Sequence, residues 1–321
     1  MLRLGVIGVG HLGRYHAEKY RTLSGVELVG VVDIERSRAD EVAGRLGVAA
    51  CYDHRDLLDR VDAVSVVVPT SEHYRVAGSF LEAGVHVLVE KPITRTLDEA
   101  RDLIALAHRR GLVLQVGHLE RFNPALRTAL AYTGPPLFIE AERISPFPAR
   151  GLDVDVVLDL MIHDIDLALS LVKGEPKWIH AVGVPVLTSQ VDIANVRMEF
   201  ETGCVANLTA SRVSAKTQRK IRIFQKDAYI AIDFGRKEVS LARRLPPADS
   251  HWPRIETQTL TVPPEDALQL ELESFVQAVS TGGRPLVSGE DGRRALSVAL
   301  RILEDMKARR EACPRELLQV E

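Results

Sequence analysis

The sequence predicts an α/β protein of two domains: an N-terminal doubly wound parallel sheet, then a C-terminal α/β domain with a large, mainly antiparallel open sheet. Three observations predict it. Over the first 120 residues, short β-branched apolar runs alternate with amphipathic helical stretches, a pattern that requires parallel strands joined by helical crossovers. Beyond residue 120, one strong helix is followed by consecutive strand-like stretches without intervening helices, as antiparallel pairing produces. The 321 residues are about twice the usual size of one domain, so the expected domains are 1–120 and 121–321.

In the first domain the predicted strands are Leu2 to Gly8, Glu27 to Val32, Ala63 to Val68, His86 to Glu90 and Val113 to Gly117. They are rich in Val, Ile and Leu, as strands covered on both faces must be. Helices are predicted over His11 to Leu23, Ser37 to Leu46, Glu72 to Ala83 and Leu97 to Arg110, with Gly84 and Gly111 as left-handed caps after the last two. In the second domain a helix is predicted over Val156 to Val172. Strands follow the order Leu137 to Ile144, Trp178 to Leu187, Asp192 to Glu201, Cys204 to Ser211, Lys220 to Gln225, Ala228 to Phe234, Glu238 to Ala242 and Ile255 to Val262. Two closing helices, 265–280 and 290–310, are separated by the breaker Thr281-Gly282-Gly283-Arg284-Pro285.

Composition excludes several classes. With 46% hydrophobic and 26% charged residues, the chain can bury substantial cores, so disorder, collagen and coiled coil are ruled out. Forty-one Lys+Arg against 44 Asp+Glu leave a net charge of -3, which argues against nucleic acid as a partner. No stretch approaches the roughly 18 apolar residues of a membrane helix. The N-terminal apolar run is interrupted by Arg3, and the three cysteines Cys51, Cys204 and Cys313 are odd in number and far apart. A reducing cytoplasm is the expected location.

The first sharp motif is Gly8-Val9-Gly10-His11-Leu12-Gly13, a G-x-G-x-x-G at the end of the first strand where a helix opens. Glycines there permit a tight turn, close approach of the backbone to a pyrophosphate and close helix–strand packing, with the phosphates on the positive end of the helix. Asp33 ends the second strand, 20 positions after Gly13, where a carboxylate can accept from both adenosine ribose hydroxyls. This predicts NAD as cofactor in preference to NADP. The competing arrangement has Arg36 or Arg38 paired with a 2′-phosphate and Asp33 turned away.

Two further groups could do chemistry. Glu90-Lys91-Pro92 stands at the carboxyl end of the fourth predicted strand, the edge of a doubly wound sheet where ligands bind. A lysine crowded there by a cofactor ring could hold or help ionise a substrate hydroxyl; the plain alternative is a surface lysine after a strand. In the strong helix, Asp159, His163 and Asp166 are spaced four and three apart and share a face of an otherwise apolar stretch. A carboxylate beside an imidazole tunes it as a base near neutral pH. No metal is expected, because no second His or Cys lies at ligand spacing.

These motifs together resemble the Gfo/Idh/MocA family of NAD(P)-dependent oxidoreductases, and the resemblance spans most of the chain. Pro69-Thr70-Ser71-Glu72-His73, Gly117-His118-Leu119-Glu120-Arg121-Phe122-Asn123-Pro124 and the two closing helices agree with it. The resemblance implies a Rossmann domain and a C-terminal domain whose large open sheet carries substrate contacts and joins subunits, as a homodimer or homotetramer. It implies that Gly8, Gly10, His11, Leu12, Gly13, Asp33, Pro69, Thr70, His73, Glu90 and Lys91 bind NAD. Lys91, Asp159 and His163 then form the catalytic set, and Arg121 and Asn123 join Asp159 and His163 in holding substrate.

Oxidising a secondary alcohol needs one base and one cation near the oxygen; His163 and Lys91 fit those roles, with Asp159 orienting them. The stretches Gly117 to Pro124 and Ser145 to Gly151 resemble the branch of the family that includes UDP-N-acetylglucosamine 3-dehydrogenases, which implies oxidation of a UDP-sugar at a ring hydroxyl. The basic stretch Arg212 to Lys226 could meet a diphosphate or could be a solvated strand edge. The alternatives are an inositol or free-sugar dehydrogenase, a reductase of a non-sugar carbonyl or tetrapyrrole on the same domains, and a non-catalytic NAD-binding regulator on the same fold.

Overall fold

The computed structural model describes residues 1–147, 155–246 and 254–312. It divides into two compact units: Met1–Phe122 with Glu265–Leu296, and Asn123–Pro264 with the chain from Ser297 onward. A single boundary at residue 120 therefore needs correcting. Residues 265–296 belong with the first unit, since membership is decided by which apolar surface a helix covers and not by its order along the chain.

The first unit contains, in chain order, strand β1 (Leu2–Ile7), helix α1 (Gly13–Thr22), β2 (Val26–Val32), α2 (Arg36–Leu46), β3 (Ala49–Cys51), β4 (Ala63–Val66), α3 (Thr70–Glu82), β5 (His86–Glu90), α4 (Leu97–Arg110) and β6 (Leu114–Gly117). The six strands are parallel in the order β3-β2-β1-β4-β5-β6. Strand β3 lies outside the predicted strands, because three residues are too few to carry a period. Helix α4 matches its predicted bounds because both ends are satisfied locally. Thr96 Oγ1 accepts from the Glu99 N–H at 3.2 Å, the Glu99 carboxylate accepts from the Thr96 N–H at 3.1 Å, and Gly111 closes the other end at φ +64°.

The second unit contains α5 (Pro124–Leu130), β7 (Pro136–Ile144), a π-helical turn (Val157–Met161) running into α6 (Ile162–Leu171), then β8 (Pro176–Val184), β9 (Ile193–Phe200), β10 (Val205–Ser211), β11 (Gln218–Gln225), β12 (Ala228–Asp233), β13 (Glu238–Leu245) and β14 (Arg254–Leu260). Its eight strands run β14-β13-β12-β11-β7-β10-β9-β8. Every neighbouring pair is antiparallel except β7 with β10. Alternation places Ile139, Val196, Leu208, Ile221 and Ile230 on one buried face, against which α5 and α6 pack. The opposite face exposes Trp178, Val182 and Val184. The predicted helix Val156 to Val172 is thus two winding types, because the first turn closes i→i+5 bonds. Residues 148–151 of the predicted Ser145 to Gly151 stretch, and Cys313, lie outside the described residues.

Two helices close the chain, α7 (Ala267–Thr281) and α8 (Gly289–Ala312). Leu272 and Phe275 of α7 are fully buried in one core with Leu4, Val6, Ala17 and Tyr20; burying each of these two side chains contributes about 1.5–3 kcal/mol. In the second unit, α8 guards the edge strand β8. Its Asp305 accepts from the Ala181 N–H at 2.8 Å, and its Arg301 donates to the Pro176 carbonyl at 3.0 Å, so backbone groups that could recruit a foreign strand are taken.

Candidate active site

The turn after β1 shows three glycines in three roles. Gly8 sits at φ +85°, and a Cβ on it would come 2.5 Å from the Val67 carbonyl oxygen. A Cβ on Gly13 would lie 1.8 Å from the Gly8 carbonyl oxygen, so α1 can start this close to β1 only from glycine. A Cβ on Gly10 would meet nothing within 4 Å; its missing side chain opens a path for a ligand. Helix α1 has no side-chain cap and no acidic residue in its first turn, which leaves its positive end to an anion.

Asp33 ends β2 almost wholly buried. One carboxylate oxygen accepts from the Val9 N–H at 3.0 Å and the other from the Glu35 N–H at 3.0 Å, so the Gly-rich turn and the next helix both hang on this side chain. Both oxygens also meet Arg38 Nη1, at 3.5 and 3.4 Å, long contacts that a ribose hydroxyl could replace. Arg38 lies against the same carboxylate at 3.4 Å and pairs with Glu35, while Arg36 stacks over the Tyr52 ring at 4.2 Å. The alternative in which Asp33 turns away is not adopted: both arginines have partners with Asp33 facing the turn.

A cleft of about 710 Å³ runs along the carboxyl ends of β1, β2, β4 and β5, inside the roughly 300–1,000 Å³ range of small-molecule sites. Of the residues expected to bind NAD, Gly8, Gly10, Leu12, Asp33, Pro69, His73, Glu90 and Lys91 line it. Three expected members do not. Gly13 serves packing, Thr70 opens α3, and His11 is exposed, with its ring edge-on to Tyr15 at 5.6 Å. His73 is buried with its two ring nitrogens 2.8 Å from the Pro92 carbonyl and 2.9 Å from the Val68 carbonyl. It borders the cleft and ties the Lys91-Pro92 segment to α3; burial pushes its pKa down despite these bonds. A lining residue absent from the sequence expectations is Ile34, 93% exposed beside Asp33. A bare β-branched residue directly after the strand-ending acid is the signal that would have found it. The cleft thus fits a dinucleotide, with a glycine cradle, a helix end free of acids, a ribose-facing carboxylate and an apolar rim.

In the second unit, Asp159 lies in the π turn and His163 at the start of α6, both half-buried, with Asp166 buried further along. The turn is anchored locally. Asp155 accepts from the Val157 N–H at 2.9 Å, the Asp159 N–H donates to the Asp155 carbonyl at 3.0 Å, and the Val156 N–H donates to the Val191 carbonyl at 3.3 Å. Helix α6 is clamped to β7 by a buried bidentate pair, Arg143 Nε to Asp164 at 3.0 Å and Nη2 at 2.8 Å. Sequence reasoning passed over this pair, although an arginine in the core-facing register of Ile139 and Ala141 is the mark of one.

Two residues expected to hold substrate make contacts within the protein. Asn123 caps α5, its side-chain oxygen accepting from the Ala125 N–H at 3.1 Å, which is a structural use of a residue expected at substrate. Arg121 belongs to the first unit, 3.8 Å from Asp291. Of the basic stretch, Arg212 is fully buried against Asp192 at 2.8 Å, while Lys220 and Arg222 lie 3.5 Å from Asp233 and 2.7 Å from Glu140. Strand β11 lies between β12 and β7, so the stretch is no strand edge as the sequence reading allowed; these three charges are instead paired within the unit. Among the described residues no helix is long and apolar enough to cross a membrane.

A doubly wound domain carrying this cleft, joined to a mixed-sheet domain, defines a nicotinamide-dependent oxidoreductase. The chain belongs to the Gfo/Idh/MocA family: residues 2–118 match the oxidoreductase family's NAD-binding Rossmann fold and residues 134–231 its C-terminal domain. NAD is therefore the cofactor class of the first unit. The chain is 43% identical to UDP-N-acetylglucosamine 3-dehydrogenase of Acidithiobacillus ferrooxidans, covering 94% of this chain and 96% of that protein. A solved structure of that enzyme superposes with a TM-score of 0.91, covering 96% of this chain and 98% of that one at 42% identity. Myo-inositol 2-dehydrogenase of Thermotoga maritima is 27% identical over 99% of this chain and 100% of its own.

Proposed function

We propose that the protein is an NAD-dependent dehydrogenase of a nucleotide-diphosphate sugar, oxidising UDP-N-acetylglucosamine at a ring hydroxyl. The observation that carries this reading is the 43% identity over nearly the full length of both chains to an enzyme of that name, against 27% for the inositol dehydrogenase. In this reading Asp33 receives the adenosine ribose, Ile34 packs on the adenine, and the Gly8–Gly13 turn with the start of α1 holds the pyrophosphate. Bound NAD supplies the hydride acceptor.

His163 takes the hydroxyl proton as the carbon–hydrogen bond breaks, Lys91 stabilises the developing negative charge on that oxygen, and Asp159 orients the imidazole. NADH formation on UDP-N-acetylglucosamine, compared with myo-inositol and free hexoses, tests the substrate; turnover of the uncharged sugars alone would overturn it. Lys91→Ala and His163→Ala should each lower kcat by about 10² to 10⁴-fold with the melting temperature and NAD binding retained. Unchanged turnover in either removes that residue from the mechanism.

We also infer a homo-oligomer joined through the exposed face of the eight-stranded sheet, and a cytoplasmic location. Trp178, Val182 and Val184 leave an apolar patch on that face, and such patches mark association surfaces. Light scattering coupled to gel filtration tests it: a monomer, or an oligomer untouched by Trp178→Glu with Val182→Lys, would refute it.

A further inference from the structure

Beneath the cofactor cleft, inside the first unit, three ionisable side chains from distant parts of the chain converge. His16 of α1, Glu90 of β5 and Glu271 of α7 are buried, with one nitrogen or oxygen of each within 4.8 Å of the others. His16 Nε2 lies 3.4 Å from Glu90. No hydrogen-bond donor reaches either carboxylate oxygen of Glu271. Room for the Glu90 carboxylate depends on Gly117 of β6, where a Cβ would approach it to 2.7 Å. The other groups facing the cluster are Tyr20 of α1, hydrogen-bonded to Ser65 at 2.8 Å, His73 of α3, Lys91, and Gln115 of β6, whose amide donates to the Glu271 carbonyl at 3.2 Å.

Charge accounting decides the protonation. Burial works against a Glu90 anion, but His16 and the Lys91 ammonium more than offset it, holding the Glu90 carboxyl below its ordinary range. Glu271 has no cation of its own; burial and the Glu90 charge push its carboxyl well above its ordinary range. Two carboxylates this close in a low-dielectric core cannot both ionise against one imidazole. A neutral Glu271 has one O–H to donate, and its neighbours are the Glu90 carboxylate and the His16 ring. The Glu90 carboxylate in turn accepts from the Lys91 backbone N–H at 3.3 Å.

We propose that Glu271 is a positioning residue: a carboxylic acid kept neutral in the core, which holds the Glu90 carboxylate from the α7 side and so fixes the Lys91 segment at the cofactor cleft. The inference rests on the assignment of Lys91 to the reaction, but its first test does not. The infrared spectrum of the whole protein at pH 7 should show a protonated-carboxyl C=O band that disappears in Glu271→Gln; absence of the band overturns the proposal.

The second test is kinetic. Glu271→Gln keeps a neutral donor and should retain kcat, with the acid limb of the kcat/KM pH profile in place. Glu271→Leu removes the donor and should lower kcat about tenfold, the size of one hydrogen bond to a charged group, and should shift that limb while NAD affinity stays within a few-fold. A purely structural role would lower the melting temperature without moving the limb, and that result overturns the proposal. So does a Glu271→Gln enzyme as slow as Glu271→Leu. Zinc added alone that raises the melting temperature in the wild type and not in His16→Ala would make Glu271 a metal-binding anion, overturning it too. A band present together with full turnover in Lys91→Ala would refute the Lys91 assignment and the link to it, leaving the neutral acid in place.

Discussion

Asp33→Asn separates the two duties of one side chain. The carboxylate accepts from two backbone N–H groups, Val9 and Glu35, each at 3.0 Å, in a nearly closed site. An asparagine has one acceptor oxygen, so one of these donors faces an NH₂ group; an unsatisfied buried donor costs about 1–3 kcal/mol, which should appear as lost stability. The second duty is to the ribose. A hydrogen bond to a charged acceptor contributes about 1.5–3 kcal/mol, so NAD should bind about 10 to 150-fold more weakly. For NADP the sign reverses, because the substitution removes a carboxylate that repels a 2′-phosphate and releases Arg38 from its 3.4 Å contact. Calorimetric titration with both cofactors, beside thermal unfolding, reads the two effects apart. A lowered melting temperature with NAD and NADP affinities unchanged would mean that Asp33 only ties down the turn, and the ribose assignment would be refuted.

Other outcomes follow from the same geometry. Gly13→Ala should abolish NAD binding and destabilise the fold, since its Cβ would sit 1.8 Å from the Gly8 carbonyl oxygen, whereas Gly10→Ala, with open space around it, should weaken NAD binding and leave the melting temperature in place; equal effects would contradict the separate roles. Arg143→Met should cost about 3–5 kcal/mol by stranding the buried Asp164 carboxylate, and adding Asp164→Leu should recover most of it in denaturant titrations. Asp192 accepts from the Val186, Leu187 and Thr188 N–H groups and from Arg212. Burial opposes its charge, but the Leu187 N–H, Arg212 and Thr188 outweigh it and hold its carboxyl well below the ordinary range. With a depressed folded value, its contribution is present above the unfolded carboxylate pKa of about 3.9 and fades as the pH falls below it. Asp192→Asn should therefore lose stability at pH 7 and lie closer to wild type at pH 3; an equal deficit at both would refute the assignment.

Features under short-range control could be read from the chain alone. The Gly8-to-Asp33 fingerprint was legible because strand, turn, helix and acid are neighbours in the chain, and each residue type answers a local demand: φ above zero at Gly8, no Cβ at Gly13, an acceptor at Asp33. Helix α4 was legible for the same reason, through Thr96, Glu99 and Gly111. The alternating apolar residues of β7 to β13 announced a half-buried sheet without naming its order. Packing between distant elements settled the rest. Strand β3 forms because β2 offers it an edge, and α7 joins the first unit because Leu272 and Phe275 find their apolar surface there. Val157–Met161 winds as a π turn, where a helical period read from sequence assumes uniform geometry. Asn123 turned out to cap a helix, a use its place in a family-like motif concealed. The pairs Arg143–Asp164 and Arg212–Asp192 and the cluster of His16, Glu90 and Glu271 join residues far apart in the chain. Periodicity shows that such groups face inward, but the partner that makes burial of a charge tolerable is chosen through space, by the packing of whole elements.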